Sequence, residues 1–230
     1  MHKYVEEIKV LFEQNADAEI AIPMAKYMKN KFLFLGIKTP VRAELLKKYH
    51  QENGYPPINE IETICRELWK LPEREYQYLA DGLLNRFASK MDENAIDFFE
   101  YLIITKSWWD TVDLLATKIV GNHFVRFPHL IELYIKKWLK SDNMWLQRTA
   151  ILFQLKYKDK TDVMLLGSII MRLNGSKEFF INKAIGWALR EYSKTDAEAV
   201  INFVKYNKLA SLSSREALKW LNRRMFDNEQ

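Results

Sequence analysis

Apolar positions recur along nearly the whole chain at spacings of three and four, the signature of helices that each bury one face. The pattern predicts helices of ten to sixteen residues at about 2–14, 18–30, 40–53, 59–70, 73–88, 93–106, 108–121, 128–140, 143–157, 161–173, 177–193, 196–206 and 213–225. Start signals accompany several of them. Thr39 before Pro40 reads as an N-cap followed by proline at the first helical position. Asn59 with Glu62, Thr195 with Glu198, and Ser213 with Glu216 have capping-box spacing. The breaks are short: GYPP at 54–57, FPH at 127–129, NGS at 174–176. No long linker interrupts the pattern, so residues 1–230 read as a single all-α domain.

A repeat underlies the helices. A shift of 35 residues lays MWLQRTAI (144–151) over FFINKAIG (179–186) and lays 109–113 over 144–148. Tyr78, Asp113, Arg148 and Lys183 then share one recurring slot. A helix-pair period of this size predicts a HEAT-like solenoid, with the second helix of each pair lining the concave side. The slot holds polar and charged residues beside large aromatics, where a core position would hold Leu or Ala.

Composition narrows the classes. Gly and Pro number only seven and six, which favours helices over a turn-rich β fold. The single cysteine, Cys65, rules out an internal disulfide and a thiolate zinc site, and fits a reducing compartment. The N-terminal segment lacks the apolar core of a signal peptide, and no run of eighteen apolar residues is present. A cytoplasmic location with no membrane partner is therefore expected. Net charge is +5, unevenly spread. Residues 1–100 hold 14 Lys+Arg against 17 Asp+Glu, and residues 101–230 hold 21 against 13. Either the C-terminal part binds a polyanion or its helices simply carry solvated basic faces.

Three segments carry candidate chemistry. In SWWDTVD (107–113), Ser107 and Asp110 have capping spacing, whereas Asp113 lies beyond the first turn. Trp109 and Asp113 are four apart and share a helix face. Indole and carboxylate together attract a cation; the alternative is a core Trp and a surface Asp. In KEFFINKAIGWALREY (177–192), Phe179, Lys183, Trp187 and Arg190 form one stripe, suited to a sugar-phosphate strand or to a snorkelling amphipathic helix. Gly186 in that helix permits close packing or close approach of a ligand. In DNMWLQRTAILFQLKYKDK (142–160), Arg148 sits in an apolar helix and needs an anionic partner, either phosphate or an internal carboxylate such as Asp113. Lys156, Lys158 and Lys160 follow at the predicted helix end. The four histidines lack ligand spacing, and no glycine-rich phosphate loop is present, so neither a metal nor a cofactor is expected.

SWWDTVD, SDNMWLQRTAILFQLKYK (141–158), SKEFFINKAIGWALREY (176–192) and LSSREALKW (212–220) closely resemble the AlkD family of DNA alkylation-repair glycosylases. MAKYMKNKFLFLGIKTP (24–40) and ELWKLPEREYQ (67–77) extend the likeness across the chain. The resemblance implies a HEAT-like solenoid whose basic concave face holds duplex DNA, and release of N3- and N7-alkylated purines such as 3-methyladenine and 7-methylguanine. It puts the catalytic aspartate at Asp113, the cleft tryptophans at Trp109 and Trp187, and a DNA-contacting arginine at Arg148. Tyr27, Phe179, Phe180, Lys183 and Arg190 match neighbouring DNA-contact positions. It implies hydrolysis by a monomer, without cofactor and without flipping the base into a pocket. Two other readings stay open from the residues alone: a non-catalytic binder of damaged DNA, and a helical scaffold for proteins.

Overall fold

The computed structural model describes residues 1–227. It is helical throughout, and among those residues the nearest approach to a strand is one isolated bridge between Leu33 and Glu73. The chain forms two compact units, Met1–Asp92 and Glu93–Gln230.

The first unit contains α1 (Lys3–Gln14), α2 (Ala18–Tyr27), α3 (Thr39–Asn53), α4 (Ile61–Lys70) and α5 (Arg74–Phe87). Its core joins Val5, Ile8 and Phe12 of α1 to Ile64, Leu68 and Trp69 of α4. The segment between α2 and α3 is fixed by one buried carboxylate. Glu75 accepts the backbone N–H groups of Leu35, Gly36 and Ile37 at 2.9–3.1 Å. Gly36, at φ +91°, is required there, because a Cβ would fall 1.9 Å from the Asp17 carbonyl oxygen.

The second unit contains α6 (Ala95–Ile104), α7 (Trp109–Leu114), a π-helical turn (Leu115–Val120), α8 (Gly121–Arg126), α9 (Leu130–Lys140), α10 (Met144–Leu152), α11 (Val163–Leu173), α12 (Phe179–Tyr192), α13 (Ala197–Tyr206) and α14 (Ser211–Asp227). α10 packs between α7 and α12, and α12 packs on α14; α9 and α11 meet each other beside that row. The predicted period is visible as chemistry. Tyr134 donates to Asp97, Trp138 to Glu100, Arg148 to Asp113 and Tyr157 to the Gly121 carbonyl, over separations of 37, 38, 35 and 36 residues. The first three tie a helix to its equivalent one repeat earlier, and the fourth ties the segment after α10 to the start of α8. The all-α, helical-repeat fold expected from the periodicity is the observed one.

Every predicted helix is present, but the predicted capping side chains are not the observed ones. Lys38 occupies the N-cap of α3, with Thr39 already inside the helix. Glu60 precedes α4 in a helical conformation (φ −100°, ψ −12°) at the end of a 3-10 turn, so Asn59 and Glu62 make no capping box. Asp196, not Thr195, caps α13 by accepting the Ala199 N–H at 2.9 Å. Ser213 lies inside α14, and Ser107 donates back to the Ile103 carbonyl at 2.6 Å. A capping side chain needs an extended backbone at its own residue. Entry through a preceding helical turn removes that geometry, and sequence spacing does not reveal the entry. Two lengths also change. The helix predicted at 108–121 continues through the π turn to Arg126, and that at 143–157 stops at Leu152. The run Lys156, Lys158, Lys160 therefore lies beyond the α-helix, with Lys158 at φ +55°.

Candidate active site

The two slots adjacent in the repeat, Asp113 on α7 and Arg148 on α10, meet directly. Arg148 donates Nε to Asp113 Oδ1 at 2.7 Å and Nη2 to Oδ2 at 2.8 Å, a bidentate fork. Its Nη1 donates to the Phe180 carbonyl at 2.5 Å, which ties α12 to the same centre. Of the two anionic partners open to Arg148, the fold supplies the internal carboxylate. The Arg148 side chain is 5% exposed, whereas the Asp113 side chain keeps 18% of its surface open. Burial pushes the Asp113 carboxyl above the usual carboxylate range, against the hydrogen bonds and charge of Arg148 that favour ionisation.

Local sequence explains the placement. Trp108 takes the extended N-cap position of α7 (φ −158°, ψ 161°), so Trp109 begins the helix and Asp113 follows one turn later on the same face. The Trp108 ring packs on Trp145 and Phe180, with centroids 5.7 and 5.1 Å away, and Trp145 lies 5.0 Å from Phe180. This trio fixes the Phe180 backbone that receives Arg148. Just after Asp113 the helix widens into the π turn, and the Thr117 hydroxyl donates to the Asp113 carbonyl at 2.6 Å. Trp109 is half-buried, so it is not a core tryptophan.

The α12 stripe behaves differently. Lys183 Nζ lies 3.0 Å from Glu216 Oε1, and Arg190 Nη1 lies 2.6 Å from Glu216 Oε2. Burial alone would raise the Glu216 carboxyl; hydrogen bonds from Lys183 and Arg190, with the nearby Lys219 charge, overcome it and hold the group below the usual range. Trp187 is half-buried on the turn between Lys183 and Arg190. Phe179 stands 57% exposed beside Phe180, ring centroids 5.4 Å apart. Gly186 exists for packing: a Cβ there would fall 2.5 Å from Glu216 Cβ and 2.9 Å from the Ser213 carbonyl oxygen. Tyr27 belongs to the first unit, at the end of α2, and is 69% exposed.

The structure thus joins Asp113, Arg148 and the Phe180 backbone in one centre, and Lys183 and Arg190 around Glu216. The sequence reading missed Glu216, which it took for a cap, and the roles of Trp108 and Trp145. No spacing in the sequence marks Glu216, because its approach to α12 at Gly186 is a tertiary contact. Among the described residues no group of three or more His, Cys, Asp or Glu is placed to hold a metal, and no helix is long and apolar enough to cross a membrane. Chemically, a partly open carboxylate locked by a guanidinium is a fixed anion, suited to stabilising positive charge that develops beside it.

Residues 8–221 match the model of a family described as DNA alkylation repair enzyme. Among solved structures, a predicted DNA alkylation repair enzyme from Enterococcus faecalis superposes with a TM-score of 0.82 at 34% identity, covering 90% of this chain and 96% of that one. No curated protein matches. A family match across this length, over a helical repeat whose slots Asp113 and Arg148 are in contact, settles the membership: the chain belongs to the DNA alkylation repair enzyme family.

Proposed function

We propose that the protein is a DNA glycosylase that hydrolyses the N-glycosidic bond of positively charged N3- and N7-alkylated purines in duplex DNA. The observation that carries this reading is Asp113, gripped by Arg148 through both oxygens yet still partly open. Alkylation already places positive charge on the base, so it departs neutral, taking the bonding electron pair, without a general acid. Positive charge then moves onto the deoxyribose. Asp113 stabilises that charge, and each of its oxygens retains lone-pair capacity for a water after the Arg148 bonds. Water bonds to C1′ and loses a proton, leaving an abasic site. Trp109 and Trp187 offer ring faces to the sugar cation.

In this reading Arg148 acts on DNA through Asp113, as a positioning residue. Contact with phosphate and sugar falls to Lys183, Arg190, Phe179 and Phe180 and, from the first unit, to Tyr27, with a monomer as the working unit. The substrates are 3-methyladenine and 7-methylguanine nucleotides. The test is incubation of the purified chain with methylated duplex DNA and chromatography of the supernatant. Free 7-methylguanine or 3-methyladenine is expected; unchanged DNA sinks the proposal.

A non-catalytic binder of damaged DNA is the second reading. It is favoured by the engagement of both Asp113 oxygens by Arg148, which gives the carboxylate a structural partner without any chemistry on DNA. The same assay separates the two, since a binder shifts methylated DNA in a gel without releasing base.

A further inference from the structure

The second unit carries an open groove of about 710 Å³ on the α9 and α11 side, away from the row of α7, α10 and α12 that holds the candidate active site. Its floor is apolar: Ile131 and Leu139 of α9 and Leu165 of α11 are half-buried, over Ile135 and Phe153, which belong to the core. Ile131, Ile135 and Leu139 follow one another at four-residue spacing, a straight apolar ridge about 12 Å long.

The rim is cationic. Lys136, Lys140, Lys160 and Arg172 border the groove, and among the described residues none has a carboxylate within ion-pair distance. Several other basic side chains of this unit are paired: Lys137 with Glu100 at 2.8 Å, Lys156 with Glu191 at 3.5 Å, Lys183 and Arg190 with Glu216. Helix dipoles account for Lys140 and Arg172, which lie in the last turns of α9 and α11, but not for Lys136 or Lys160. The rim also holds two acids. Asp162 is committed to capping α11, accepting the Leu165 N–H at 2.9 Å, and Glu132 lies in the first turn of α9.

We propose that this groove docks an acidic amphipathic helix of a partner protein. Apolar side chains spaced i, i+3 or i+4 and i+7 along such a helix match the ridge, and its flanking carboxylates match the four cations. Duplex DNA would satisfy the cations but leave the apolar floor in water. The proposal is independent of glycosylase activity.

The probe is a fluorescein-labelled synthetic peptide of about 18 residues, Leu on one helical stripe and Glu elsewhere. Fluorescence anisotropy measures its binding to the full chain. Controls are a peptide of the same composition in scrambled order and one with Lys in place of Glu. The patterned acidic peptide is expected to bind, more weakly as salt rises, and neither control to compete. The Lys136→Glu/Arg172→Glu double variant should weaken it about tenfold or more, because both rim charges are reversed. Circular dichroism melting checks that the variant folds; if it does not, Lys136→Gln/Arg172→Gln replaces it, with a smaller loss in the same direction. Equal binding of the scrambled peptide, no effect of the rim variants, or displacement by oleate or duplex DNA with no specific peptide binding would each overturn the proposal.

Discussion

Arg148 and Asp113, one repeat apart in sequence, face each other through two parallel N–H···O bonds of 2.7 and 2.8 Å. The guanidinium is almost wholly enclosed and the carboxylate is not. On the proposed function, this asymmetry makes Arg148 the support and Asp113 the working end. It also fixes the sign of several effects.

The acid limb of base release should lie above the ordinary Asp value of about 3.9, because burial raises the Asp113 carboxyl. Protonation removes the anion, so activity falls as pH drops through that raised value. In Arg148→Lys the bidentate fork is lost, and the limb should move to higher pH. A pH–rate profile in single turnover checks both. The linkage runs the other way for stability. A raised folded pKa favours the protonated native state, so this contribution is full below the unfolded value and is lost as pH rises through the folded one.

Asp113→Asn should slow release of 7-methylguanine by about 100-fold or more while changing DNA affinity little, as expected for a charge needed only in the transition state. Single-turnover kinetics beside a filter-binding isotherm provides the comparison; undiminished release would remove Asp113 from the mechanism. Arg148→Ala should cost about 3 kcal/mol of stability, since it leaves a largely buried carboxylate without its partner. Urea unfolding measures it.

Gly186→Ala opposes two effects. Helix propensity alone would add about 1 kcal/mol of stability. The new Cβ would press to 2.5 Å of Glu216 Cβ and 2.9 Å of a backbone carbonyl, an overpacking cost of about 1–3 kcal/mol. The clash is with backbone and a Cβ rather than a flexible chain end, so the net outcome is a lower Tm. An unchanged or higher Tm would show that α14 moves freely from α12.

Glu216→Gln should strengthen DNA binding and steepen its salt dependence, because Lys183 and Arg190 lose their internal counter-ion. Its folded carboxyl is held low, so its contribution to stability is present above the unfolded value of about 4.3 and lost as pH falls through the folded one. Acid unfolding curves of the two proteins should therefore converge at low pH.

The amino-acid sequence alone carried the helical class, the period of 35 and the slot that Asp113 and Arg148 share, because amphipathic spacing and repetition are local or translational properties of the chain. Block resemblance offered Trp109, Asp113, Trp187 and Arg148 as candidate site residues. The capping residues escaped it, since Asp196 and Trp108 are selected by how the chain enters each helix and not by spacing. Only the tertiary structure chose the partner of Arg148, since a buried cation specifies the need for an anion without naming one, and packing of α7 against α10 supplied Asp113. The same holds for Glu216, whose two cations come from another helix that Gly186 allows close enough to reach it.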